Sequence, residues 1–173
     1  MREIKIPTGV AVSITEDIVN IKGKLGASTK KFNKRLISLS SDNSSIKIEE
    51  TKNKKLTKKA VLASQAFESE LNSTVKGVQE GIETKMSILF AHFPMSIEIK
   101  GKAIFIKNIF GEKVPRETFI VGDTKVEVKG QSLTVKGVDA YDVGQTVANL
   151  RKICFPRGYD TRVFQDGIYK SKE

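Results

Sequence analysis

Residues 96–119 read SIEIKGKAIFIKNIFGEKVPRETF, and residues 11–32 read AVSITEDIVNIKGKLGASTKKF. In the later stretch, IEIK and AIFIK alternate apolar and polar residues on either side of Gly101, the pattern of two strands sharing one buried face across a tight turn. In the earlier stretch AVSI and DIVNIK do the same around Thr15 and Glu16. Setting Val12 on Ile97, Ile14 on Ile99, Ile21 on Ile106 and Gly26 on Gly111 needs one constant displacement, 97 − 12 = 85, without a gap. A hairpin followed by a Leu-Gly or Phe-Gly pair at matching positions points to an internal duplication.

Working outward, a second hairpin follows each first one. TKVEVKG and SLTVKG flank Gly130 and Gln131, while LISLS and SSIKIE flank the turn formers Asp42 and Asn43. After a slip of two residues, Phe32 falls on Phe119 and Ile46 on Leu133, since 133 − 46 = 87. Each half then closes on a helix. From Lys58 to about Glu80, Ala63, Phe67, Leu71, Val75 and Val78 make an apolar stripe that Gly81 ends. In the second half Asp139 or Asp142 caps a shorter helix bearing Val143, Val147 and Leu150, with Arg151 and Lys152 near its negative end and Pro156 and Gly158 beyond.

REIKIP and TKMSILFAHF add a strand ahead of each set, so each unit reads strand, hairpin, basic loop, hairpin, helix. The expected fold class is α+β: two tandem repeated units, each an antiparallel β-sheet covered on one face by an α-helix. The expected division is 1–82 for the first repeat, 83–154 for the second, and 155–173 for a basic, aromatic C-terminal tail.

The chain has 173 residues, a formal charge of +10 from thirty Lys and Arg against twenty Asp and Glu, and a pI near 9.6. Such an excess favours a polyanionic partner, although lysine also serves solubility. The single cysteine forms no internal disulfide, and no apolar run is long enough for a bilayer or an export signal. A reducing intracellular compartment fits these features.

Catalytic signatures are missing. One His and one Cys make no metal site of the usual spacing, no phosphate-binding GxxxxGK[ST] occurs, and nothing resembles GxSxG around a serine. His92 precedes Phe93 and Pro94 at an expected strand end, and Cys154 reads as a small core residue. The expectation is no enzyme, no metal and no cofactor.

The charge is clustered. Lys22, Lys24, Lys30, Lys31, Lys34 and Arg35 share an acid-free stretch, and Lys52, Lys54, Lys55, Lys58 and Lys59 form a second. Either is equally a solvated lysine run. In the tail, Arg151, Lys152, Arg157, Arg162, Lys170 and Lys172 alternate with Phe155, Tyr159, Phe164 and Tyr169, uniting phosphate partners with rings that either stack on bases or tie the tail to the core. A flexible basic tail beside a rigid sheet suits structured RNA, and no RRM signature supports base stacking on the sheet.

SILFAHFPM (87–95), NIFGEKVPRETFIVGDTKVEVKG (108–130), DVGQTVANLRK (142–152) and TRVFQDGIY (161–169) resemble, in this order, the two-repeat ribosomal protein L6 family of the large subunit. The tail's FQDGIY is closer to the archaeal and eukaryotic branch than to the bacterial PYKGKG pattern. The resemblance implies a non-enzymatic structural constituent of the ribosome in the cytoplasm, with no membrane association. It implies binding to large-subunit ribosomal RNA near the sarcin-ricin loop where translation GTPases dock, beside neighbouring large-subunit proteins. The implied RNA contacts are Lys107, Gly111, Lys113, Arg116, Gln145, Arg151, Lys152, Arg157 and Arg162. The reading from composition alone keeps an alternative, a free-standing protein-binding adaptor whose charge serves solubility.

Overall fold

The structure, a computed structural model, describes residues 2–41, 45–50, 57–91 and 93–171. The chain forms two compact units, Met1–Gly81 and Ile82–Glu173. The expected turn at Asp42 and Asn43 lies outside the described residues, as do Lys52, Lys54, Lys55, His92 and Lys172.

The first unit contains β1 (Arg2–Lys5), β2 (Ala11–Thr15), β3 (Ile18–Lys22), β4 (Ala27–Lys31), β5 (Ile37–Ser41), β6 (Ser45–Glu50) and helix α1 (Thr57–Glu80). Its strands are divided between two antiparallel sheets, β1-β6-β5 and β2-β3-β4. Alternation sends Val19 and Ile21 of β3, and Ile46 and Ile48 of β6, to the same core as Phe67, Leu71 and Val78 of α1. The buried stripe of α1 starts from Ala60 and Ser64 rather than Ala63, which is only half-buried. Gly81 ends the helix at φ +79, its N–H donating to the carbonyl of Gly77, a conformation without the Cβ clash that other residues meet there.

The second unit contains β7 (Ile82–Leu89), β8 (Ser96–Lys100), β9 (Ala103–Lys107), a 3₁₀ turn (Ile109–Gly111), β10 (Arg116–Phe119), β11 (Lys125–Lys129), β12 (Ser132–Gly137), α2 (Ala140–Ile153) and β13 (Gly167–Lys170). The sheets are β10-β9-β8 and β11-β12-β7-β13. Asp139 is the residue that caps α2, accepting the Tyr141 N–H at 2.9 Å. Val143, Thr146 and Leu150 face the core. The Thr146 hydroxyl accepts from the Val121 N–H and meets the Thr124 hydroxyl at 3.2 Å, which satisfies the polar groups buried under the helix.

The duplication is visible in the strand registers. Val12 pairs with Ile21 and Ile14 with Val19, while Ile97 pairs with Ile106 and Ile99 with Ile104, each pair displaced by 85. Two expectations change. The two hairpins of a unit belong to different sheets, and part of the "basic loop" between them is itself a strand that joins the first hairpin's sheet, β4 in one unit and β10 in the other. The third strands also shift the alignment. Ile18 faces Lys31 and its counterpart Ala103 faces Phe119, so Phe119 matches Lys31 at 119 − 31 = 88, and Phe32 matches Ile120. The N–H groups of Phe32 and Ile120 agree with that match by bonding the equivalent turn carbonyls of Asp17 and Lys102 at 2.9 and 2.8 Å.

Candidate nucleic-acid interface

The site is built on the connection that follows β9. Asn108 (φ 61), Phe110 (φ 50) and Gly111 (φ 75) are all left-handed, an arrangement costly for a phenylalanine unless packing holds it. Packing does: Phe110 is 7% exposed, with Tyr159 stacked at 5.7 Å and Phe164 edge-on at 5.9 Å. The Asn108 amide donates to the Pro94 carbonyl at 3.1 Å. Gly26, the sequence counterpart of Gly111, has no left-handed backbone, so the shared glycine does not mark a shared turn.

Arg116, expected to face RNA, is turned inward. Its Nε and one terminal nitrogen donate to the two Glu112 oxygens at 2.8 and 2.6 Å; the other donates to the carbonyls of Ile153 and Phe155 at 2.6 and 2.9 Å. The Ile153 carbonyl is in the last turn of α2, where backbone acceptors lack partners within the helix, and the Phe155 carbonyl lies just beyond it. The guanidinium also lies 5.7 Å from the Phe110 ring centroid, and the side chain is 15% exposed. The hydrogen bond from Arg116 holds the Glu112 carboxyl below the usual carboxylate range, and the same bond raises Arg116 further. This residue therefore clamps the site together rather than serving as its outward cation.

Among the other expected residues, Lys107 is ion-paired with Glu98, and Gln145 donates to Asn149 on the next turn of α2. Lys113, Arg151, Lys152, Arg157 and Arg162 form a different group: all are exposed and none has a side-chain hydrogen bond or ion pair to another described residue. Lys170 joins them. Their side chains are open to an outside anion, although Arg157 also feels the Glu112 carboxylate and helps lower its pKa.

The segment carrying Arg157 and Arg162 reads in the sequence as a flexible tail, and the fold overturns that expectation. Asp160 accepts the Arg162 N–H at 2.9 Å while its carbonyl accepts those of Val163 and Phe164, making a closed turn. Asp166 accepts the Ala91 N–H at 2.8 Å, and β13 pairs antiparallel with β7. Tyr159 and Phe164 meet at 4.7 Å and anchor on Phe110. Glu112, Asp160 and Asp166 are the organising residues that sequence reasoning missed. Only Asp160, two residues before Arg162, carries a local turn signal.

Between the end of α2 and β13 lies a groove of about 160 Å³, whose walls include Arg151, Phe155, Asp166 and Tyr169, with Cys154 and Ile168 at its base. Burial pushes the Cys154 thiol up to about 11, so it remains a neutral packing group at neutral pH. No cluster of His, Cys, Asp or Glu that would hold a metal occurs among the described residues, and no helix among them is long and apolar enough to cross a membrane.

In the first unit, Lys30 is buried against Glu70 at 3.2 Å and Lys34 pairs with Asp17. Lys22, Lys24, Lys31 and Arg35 are exposed, as are Lys58 and Lys59 in the first turn of α1. No aromatic side chain of this unit contacts another except Phe32 with Phe67, so its cations lack the ring cluster of the second unit among the described residues.

Fold and surface together define a two-repeat α+β protein with a basic and aromatic face on its second repeat. The family description Ribosomal protein L6 matches residues 93–167. The large ribosomal subunit protein uL6 of Thermoplasma acidophilum is 42% identical over 97% of this chain and 93% of its own length. The uL6 proteins of Picrophilus torridus and Methanosarcina mazei are each 39% identical, over 98% and 97% of this chain and 93% and 94% of their own lengths. The chain belongs to the ribosomal protein L6 family, in its archaeal form, whose members are structural components of the ribosome and not enzymes.

Proposed function

We propose that this protein is a constituent of the large ribosomal subunit that binds large-subunit ribosomal RNA through its second repeat and the segment 155–173. The carrying observation is the group of exposed, unpaired cations Lys113, Arg151, Lys152, Arg157 and Arg162, held on a fixed frame. With the backbone folded before RNA arrives, only side-chain freedom is lost on meeting phosphates, and Arg offers two parallel donors per phosphate. Gly111 contributes an exposed backbone stretch without a Cβ, Gln145 an exposed amide, and Lys107 a second layer of charge once its exchange with Glu98 is counted. In this reading the protein works in cytoplasmic ribosomes, beside neighbouring large-subunit proteins and close to where translation GTPases dock.

A salt series tests it. Removing one cation from a phosphate should reduce the slope of log K against log salt by roughly 0.7–0.9. With purified large-subunit RNA as ligand, Arg151→Ala with Arg157→Ala and Arg162→Ala should weaken binding and flatten that slope. The variant Lys22→Ala with Lys24→Ala and Lys31→Ala should do less. A larger effect from the first-unit triple variant would move the interface to the other repeat, and salt-independent binding by the parent protein would favour a protein-binding adaptor.

A further inference from the structure

Of the four aromatic residues in the tail region, two stack on other rings and two do not. Tyr159 and Phe164 close on Phe110. Phe155 is 60% exposed and Tyr169 38%, and neither has an aromatic or cationic side chain against its ring among the described residues. Leaving a phenylalanine ring in water forgoes the stabilisation of burying it, and here the ring lies beside an unpaired arginine. Phe155, Tyr169 and Arg151 line one groove.

We propose that this groove receives a single unpaired RNA base, stacked against the rings of Phe155 and Tyr169, with Arg151 on the adjoining phosphate. The inference rests on the RNA-binding reading above and adds the part of the RNA that enters. At about 160 Å³ the groove is well below the range of about 300–1,000 Å³ typical of cofactor and drug pockets, so it suits one ring system rather than a dinucleotide. Ring faces accept any base, which makes stacking tolerant of sequence, and the nearby cations suit the phosphates on either side. The Tyr169 hydroxyl is committed to the Gln165 carbonyl at 2.9 Å, which fixes that ring's orientation before any ligand arrives. Asp166 has one carboxylate oxygen on the Ala91 N–H and no partner for the other among the described residues, an acceptor in the wall for a base bearing an exocyclic amine.

The test uses the full chain with two probes: a single-stranded RNA dodecamer carrying 2-aminopurine near its centre, and a fully paired RNA duplex of the same length. The parent protein should quench the 2-aminopurine on binding. Phe155→Leu, which keeps an apolar side chain but removes the ring, should weaken single-strand binding about 5- to 150-fold, the span of base–aromatic stacking of about 1–3 kcal/mol, and abolish the quench. Phe155→Tyr should restore both, and duplex binding should be unchanged in both variants. Equal single-strand affinity and quench in the parent and Phe155→Leu proteins would overturn the groove assignment while leaving the RNA-binding reading intact. Failure of the parent to bind either RNA would overturn both, and an equal decrease on both probes would assign Phe155 a structural role instead.

Discussion

Arg116 shows how a fold engages a residue whose type alone suggests an outside ligand. An arginine beside a glycine-containing basic loop suggests a phosphate ligand, yet this one has two donors on Glu112 and two hydrogen bonds to the carbonyls ending α2. Its removal should therefore be felt in folding. Arg116→Ala should destabilise the protein by about 1–3 kcal/mol, measured by denaturant unfolding, because it leaves Glu112 and two carbonyls without partners. The pH dependence has a defined sign. The folded-state pKa of Glu112 is lowered, so its contribution is present above the unfolded carboxylate value, near 4.3, and disappears as pH falls through the folded value. Glu112→Gln should consequently melt below the parent at pH 7, and the gap should narrow steadily as the pH is lowered below the usual carboxylate range. A gap that stayed constant would mean the ion pair is not what stabilises the fold.

At the scale of elements, the corresponding connections of the two repeats have diverged into different tasks. In the second unit the segment after β9 becomes a left-handed turn centred on Phe110, onto which the tail folds. In the first, the segment after β3 caps a helix: the Leu25 N–H donates to the Val78 carbonyl near the end of α1 at 3.0 Å, and the Gly23 N–H to the Gly26 carbonyl at 2.9 Å. Gly23 is required by close approach rather than by φ, since a Cβ there would lie 2.7 Å from the Val78 carbonyl oxygen and 2.8 Å from its Cβ. Backbone cannot step aside cheaply. Gly23→Ala should cost about 1–3 kcal/mol of unfolding free energy through overpacking, whereas Gly130→Ala meets no atom and is opposed only by its left-handed φ of 59, with an expected cost nearer ~1 kcal/mol. Equal destabilisation would show that the β3–β4 connection does not rest on α1 as described.

The whole molecule carries its charge on two units built to one plan, but only the second adds a ring cluster and a strand from the chain's end. Charge alone would let either unit bind RNA. Aromatic content and the paired end strand distinguish them, so a polypeptide of residues 82–173 should retain most of the affinity for large-subunit RNA. One of residues 1–81 should bind weakly and release its RNA at moderate salt. Both are near the small end of independent folding, so circular dichroism should accompany the binding measurement. A folded 82–173 fragment that failed to bind would place essential RNA-binding residues in the first repeat.

Local pattern in the sequence determined the hairpins, both helices and the duplication. Alternation at β2, β3 and β9 and the stripe through Phe67, Leu71, Val75 and Val78 are short-range signals that the fold obeys because they decide which side chains leave water. By contrast, Ile99 of β8 stays exposed, and only the structure chose Asp139 over Asp142 as the cap of α2. Short motifs in the second half of the chain carried the family resemblance. The sequence could not reveal β4 and β10, whose polar residues alternate only once Lys30 finds Glu70 and Thr118 a buried place. Nor did it sort the cations: Arg116 and Arg151 look alike in the chain, and Glu112 and the helix-end carbonyls capture only the first. Tertiary structure alone decided which charges and rings remain available to a ligand, because hydrogen bonds and ring stacking between distant segments engage the others before any ligand arrives.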